Sequence, residues 1–139
     1  MRRTLILAGA LGALGGPALA EHGAWDLRGA QVWSNICLSQ ETGDARGLRV
    51  FVRAQGVTPR IIVQMAEGAP LPPLATRAAQ VDAKGLSFTV AATGEVFTGR
   101  VVGDVLVLKT RRLGETPLRL RRRSEASGFP VCVGDDGRS

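Results

Sequence analysis

The feature that most constrains this chain is a two-residue hydrophobic period, repeated between turns that contain glycine. Leu48, Val50 and Val52 alternate with Arg49, Phe51 and Arg53. Ile61, Val63 and Met65 alternate with Ile62 and Gln64, and Leu86, Phe88 and Val90 with Ser87 and Thr89. Leu118 and Leu120 alternate with Arg119 and Arg121. Successive side chains of a strand point to opposite faces, so this spacing predicts short strands with one buried face. Val105-Leu106-Val107-Leu108 is apolar on both faces, which predicts a central or covered strand. Turn signals separate the runs: Ala54-Gln55-Gly56, Lys84-Gly85, Thr93-Gly94, Gly103-Asp104 and Leu113-Gly114-Glu115. Glycine reaches the positive φ that tight hairpins need. Residues 78–122 therefore read as an antiparallel meander.

A meander of this kind must hide its edges. The economical solution is an all-β fold, a single small up-and-down antiparallel barrel of about eight strands. A two-sheet sandwich is the alternative. Residues 66–76 break the pattern, because Pro70, Pro72 and Pro73 cannot donate to a central strand. This stretch is expected to connect across one end of the sheet, with room for a helical turn at Ala75, Ala78 and Ala79. Phe51 falls on the face opposite Leu48, Val50 and Val52. It is expected to be covered by the 66–76 connection rather than left as a partner contact.

The N-terminus reads as an export signal. Arg2 and Arg3 precede an apolar stretch at residues 5–14, and Ala18-Leu19-Ala20 is a small-x-small cleavage site. Gly9, Gly12, Gly15, Gly16 and Pro17 make that stretch too short and too broken for a membrane anchor. The expected organisation is a signal peptide at 1–20 cleaved after Ala20, a flexible arm at 21–30, a barrel domain at 31–133 and a flexible tail at 134–139. The expected location is periplasmic or secreted, with no transmembrane segment. The chain has two cysteines, Cys37 and Cys132. In an oxidising compartment, with no Cys-x-x-Cys motif, they are expected to form one structural disulfide. It would pin the returning Phe129-Pro130-Val131-Cys132 segment beside the first strand, near residues 31–38.

A family resemblance follows from the hairpin sequences. Gly47-Leu48-Arg49-Val50-Phe51-Val52, Val81-Asp82-Ala83-Lys84-Gly85-Leu86-Ser87-Phe88, Phe97-Thr98-Gly99-Arg100-Val101-Val102-Gly103-Asp104 and Thr116-Pro117-Leu118-Arg119-Leu120 together resemble a lipocalin-like (calycin) β-domain of bacterial exported proteins. The similarity spans residues 45–123, and Gly23-Ala24-Trp25 loosely echoes the N-terminal Gly-x-Trp of lipocalins. The resemblance implies a barrel that either carries a small ligand or, as in barrel-type protease inhibitors, binds a protein.

Few residues offer catalysis. His22 is the only histidine, and it falls in the expected arm, where an exposed tail residue is favoured over a copper-chelating one. Glu41 and Asp44 around Gly43 supply too few ligands for calcium, and Asp82, Glu95 and Asp104 mark turns. Phosphate-loop, esterase and zincin motifs do not occur in the sequence. No cofactor and no metal site is expected. Trp25 and Trp33 are expected to be a barrel plug and a strand residue.

The arginines are distributed unevenly. The chain carries 18 Lys+Arg against 12 Asp+Glu, and Arg111, Arg112, Arg119, Arg121, Arg122 and Arg123 crowd two strands expected to pair. Arg119 and Arg121 point away from Leu118 and Leu120, hence outward. The cluster reads either as a solvated face or as a basic strip for anions such as lipid phosphates or an acidic protein. Nucleic acid is disfavoured, because no aromatics interleave with the arginines. The expected function is a non-enzymatic, monomeric interaction module for a protein or anionic envelope partner, inhibitor-like modules included. The alternative is a carrier of a small hydrophobic or anionic ligand inside the barrel.

Overall fold

The computed structural model describes residues 30–54, 58–83, 85–124 and 127–133. The elements are β1 (Gln31–Ser34), β2 (Cys37–Leu38), β3 (Ala45–Arg53), β4 (Arg60–Pro70), β5 (Leu74–Val81), β6 (Gly85–Val90), β7 (Val96–Val102), β8 (Val105–Thr110), a 3-10 turn η1 (Arg111–Leu113) and β9 (Leu118–Arg123). Every strand-to-strand pairing is antiparallel. The order runs β1-β9-β8-β7-β6-β5-β4-β3, and β1 pairs β3 to close the ring. The result is an eight-stranded barrel, with β2 as one extra strand. Closure leaves no continuous open edge, which is the physical reason a meander adopts it.

The first strand is broken. β1 and β2 pair with β3 in one shared register, Ser34 opposite Arg49 and Cys37 opposite Arg46. β2 therefore continues β1 after an interruption at Asn35-Ile36. There the Asn35 N–H donates to the Leu48 carbonyl at 3.0 Å, and the Leu48 N–H donates to Asn35 Oδ1 at 2.7 Å. The buried Ser34 hydroxyl accepts the Ile36 N–H at 3.0 Å. Side-chain oxygens thus replace ladder partners, as buried amides require. Gly47, at φ 125, is where β3 passes closest to this interruption.

The interior is packed. Trp33, Leu48, Val50, Val52, Ile61, Val63, Leu86, Phe88, Val90, Phe97, Leu106, Leu108 and Leu120 form one buried cluster. The alternation read from the sequence is the alternation between inside and outside. Phe88 and Phe97 lie opposite each other across β6 and β7, their rings stacked with centroids 5.1 Å apart. Such pairs add about 0.5–1.5 kcal/mol beyond area burial. Gly99 makes room for Leu106 and Leu108, since a Cβ there would lie 2.6 Å from Leu108 Cδ2 and 3.1 Å from Leu106 Cδ1. An eight-stranded barrel is only just wide enough for its own side chains.

The structure revises the reading of residues 66–76. β4 runs through to Pro70, β5 begins at Leu74, and only residues 71–73 connect them. Proline is accommodated because β4 pairs with β5 at Ile62 and Val63 alone, while its pairing with β3 continues to Gly68. On the unpaired side, the Leu71 N–H folds back to the Met65 carbonyl at 2.8 Å and Gln64 Nε2 donates to the Leu71 carbonyl at 3.1 Å. The alanines do not form a helical turn. Ala78 has φ 51, and the β5–β6 register shifts between Arg77 and Gln80, the signature of a bulge.

Phe51 is buried, as expected, but by a different cover. It clusters with Val32 and Ile62 on the outer surface of the barrel, packed by Ala30. The register sets Arg123, Val32, Phe51, Ile62 and Ala75 in one row across β9, β1, β3, β4 and β5.

Candidate functional site

The C-terminal segment docks on the outside of the first hairpin. The Leu38 N–H donates to the Pro130 carbonyl at 2.8 Å and the Cys132 N–H donates to the Leu38 carbonyl at 2.9 Å, making a parallel bridge between Leu38 and Val131. Cys37 and Cys132 are joined in a disulfide, with Cα atoms 4.9 Å apart and a sequence separation of 95. Phe129 packs against a small outer cluster of Ile36, Ala45 and Ala66. Arg49 lies between two aromatic rings, its guanidinium carbon 4.6 Å from the Phe129 centroid and 5.9 Å from that of Phe51. Its Nε is buried without a hydrogen-bond partner. Burial lowers the Arg49 pKa from its ordinary value. Cation–π attraction to the ring faces offsets part of that desolvation.

The sequence-derived basic strip divides into two. Arg119, Arg121, Arg122 and Arg123 lie on β9 as expected. Arg111 and Arg112 do not lie on the paired strand. They form η1, beyond the end of β8. That places them at the pole holding the turns after β2, β4, β6 and β8, while Arg123 ends β9 at the opposite pole. The turn forms there because Thr110 is the last extended residue before it, and Gly114, at φ 62, ends it.

Two cations not singled out from the sequence complete the outer face. Arg100 on β7 and Arg119 on β9 flank Val107 across β8, and Lys109 lies opposite Thr98. Val107 points outward yet is buried, as a short side chain between two long arginine stems is expected to be. Strands β7, β8 and β9 hold six basic residues and no carboxylate. Arg100 and Lys109 could have been found from their outward parity beside Gly99 and Leu108. That step needed the pairing of β7 with β9 through β8.

A half-open groove of about 860 Å³ lies at the η1 pole. One wall is the turn at residues 91–95 and the start of β7, with Thr93, Gly94, Glu95, Val96 and Thr98. The other is the end of β8 and η1, with Lys109, Thr110, Arg111, Arg112 and Gly114. The Thr110 hydroxyl donates to Glu95 Oε1 at 2.7 Å across the floor, tying the walls together. Glu95 comes from the β6–β7 turn and Lys109, Arg111 and Arg112 from the β8–η1 junction, and the pairing of β7 with β8 brings the two together.

Among the described residues, no group of three or more His, Cys, Asp or Glu could hold a metal ion, and no helix is long and apolar enough to cross a membrane. His22 and Trp25 lie outside the described residues, as do the expected signal peptide and tail. Trp33 is a strand residue whose side chain fills the barrel. No protein-family model, curated protein or solved structure matches the chain.

Proposed function

We propose that this chain is an exported, non-enzymatic interaction module of lipocalin-like build, which binds a protein or anionic envelope partner on its outer surface. The observation that carries this reading is the filled interior. Trp33, Phe88, Leu106, Leu108 and Leu120 are each at most 2% exposed inside the barrel. Holding a ligand there would displace side chains whose burial stabilises the fold by about 1.5–3 kcal/mol each. Recognition is therefore left to the outside, where β7–β9 present cations without carboxylates. Such a face steers acidic partners by long-range attraction. The absence of a nucleophile–base pair in the sequence supports a binding role over an enzymatic one. The strand count, closure and consecutive hairpins support the lipocalin-like reading.

Native mass spectrometry of the protein purified from its own envelope fraction tests the proposal. A co-purifying protein that is lost from the Arg119→Glu/Arg121→Glu variant is the expected result. A retained small molecule, unaffected by that variant and by Arg111→Gln/Arg112→Gln, with no co-purifying protein, would overturn it in favour of a carrier inside the barrel.

A further inference from the structure

We propose that the groove between the 91–95 turn and the β8–η1 junction is a binding site for a small amphiphilic anion, an organic phosphate or carboxylate with a short aliphatic body. Its size falls within the range of small-molecule sites, about 300–1,000 Å³, and it is open to solvent on one side. Its charge is one-sided. Lys109, Arg111 and Arg112 line it against a single carboxylate, Glu95. That carboxylate already accepts the Thr110 hydroxyl. Two guanidinium forks on consecutive residues suit oxyanions, which they can bind through paired hydrogen bonds.

The groove also offers an apolar surface. Val96 lines it and is 54% exposed, on the same groove as Lys109, Arg111 and Arg112. A ligand that covers Val96 while meeting the arginines gains from both. Thr93 and Thr98 add hydroxyls along the same wall. Recognition through added strand pairing is closed here. Val96–Arg100 of β7 pair with β6, and Phe97–Val102 pair with β8. A peptide would find no free backbone edge, so side-chain capture of a compact anion is what the site can do.

This site lies outside the barrel and apart from the β9 face. It shares Lys109 with the β7–β9 face and takes up two arginines of the basic strip, but it needs neither Arg119 nor Arg121, so the two proposals are tested by different variants. The test is titration of the protein with octyl phosphate, octanoate, inorganic phosphate and neutral octyl glucoside, followed by amide chemical shifts. Saturable binding of octyl phosphate or octanoate is expected, with shifts centred on residues 93–98 and 109–114, and the tighter of the two identifies the headgroup. Octyl glucoside binding as tightly as the anions would overturn the proposal. Arg111→Gln/Arg112→Gln should weaken binding by about tenfold or more, the size of a lost charge-assisted hydrogen bond. Val96→Thr should weaken the octyl anions and leave inorganic phosphate unchanged. Arg119→Glu/Arg121→Glu should weaken the anions only through long-range charge, much less than Arg111→Gln/Arg112→Gln does, and this difference should vanish at high salt. Equal affinity in Arg111→Gln/Arg112→Gln, checked as folded by its melt, would overturn the proposal. So would shifts confined to β9.

Discussion

Replacing Gly47 with alanine should be among the most damaging single-methyl changes in this protein. A Cβ at Gly47 would lie 2.8 Å from the Asn35 carbonyl oxygen, 2.8 Å from Asn35 Oδ1 and 2.9 Å from Ile36 Cα. Two of those three atoms are backbone, so no rotamer change relieves the overlap. Gly47 also has φ 125, a conformation that costs an L side chain about 1–3 kcal/mol. Relief would require Asn35-Ile36 to move off β3. That would break the Asn35–Leu48 backbone hydrogen bond and the Leu48–Asn35 Oδ1 hydrogen bond, at about 0.5–1.5 kcal/mol each. The sum is about 2–6 kcal/mol, a large share of the roughly 5–15 kcal/mol typical of a domain. Gly103→Ala is the matched control. Gly103 also has positive φ, 60°, but nothing lies within 4 Å of its Cβ position. It should cost only the conformational term, about 1–2 kcal/mol. Equilibrium denaturant melts with an unchanged m-value would measure both. Equal midpoints for the two variants would show that the close approach of Asn35 to β3 carries no energy, and the account of the broken first strand would fail.

Other outcomes follow from the same structure. Cys37→Ser should cost roughly 2–5 kcal/mol, because the bond closes a long loop in the unfolded chain, and two reactive thiols in the unreduced protein would contradict the bridge. Gly103→Val, with a β-branched residue at the first position of the two-residue turn between Val102 and Val105, should lose more than about 1 kcal/mol, and a wild-type midpoint would refute the turn. Arg49→Met should be neutral or stabilising by up to about 1 kcal/mol, since it removes a buried Nε that has no partner and keeps an apolar stem under Phe129. Phe129→Ala should instead destabilise by about 2 kcal/mol or more through lost burial and lost cation–π contact. A clearly destabilised Arg49→Met, or a Phe129→Ala that melts with the parent, would sink the reading of that cluster. Arg119→Glu/Arg121→Glu should stay within about 0.5 kcal/mol of the parent, as both side chains are exposed. It should bind anionic vesicles more weakly if the β9 face is used, and equal binding would leave that face as solvated surface.

What was legible in the sequence was local. The period of two at residues 48–52, 61–65, 86–90 and 118–120 defined which side chains enter the barrel, because alternation is a property of each strand alone. Glycine marked the turn at 103–104 because the φ of a two-residue hairpin depends on that residue and its neighbours. The cysteine pair followed from the count, two cysteines and no Cys-x-x-Cys motif. Tertiary structure decided the rest, because it depends on who stands beside whom. Pro70 ends a strand instead of forbidding one, since β4 has lost β5 as a partner on that side while keeping β3 on the other. Phe51 is covered on the outer face, because β1 and β4 bring Val32 and Ile62 to either side of it. Arg111 and Arg112 leave the arginine row because the chain turns at Thr110 before β9 begins. The groove exists because the β7–β8 register sets Phe97 opposite Thr110 and so brings the 91–95 turn beside η1, a pairing that alternation within each strand does not specify.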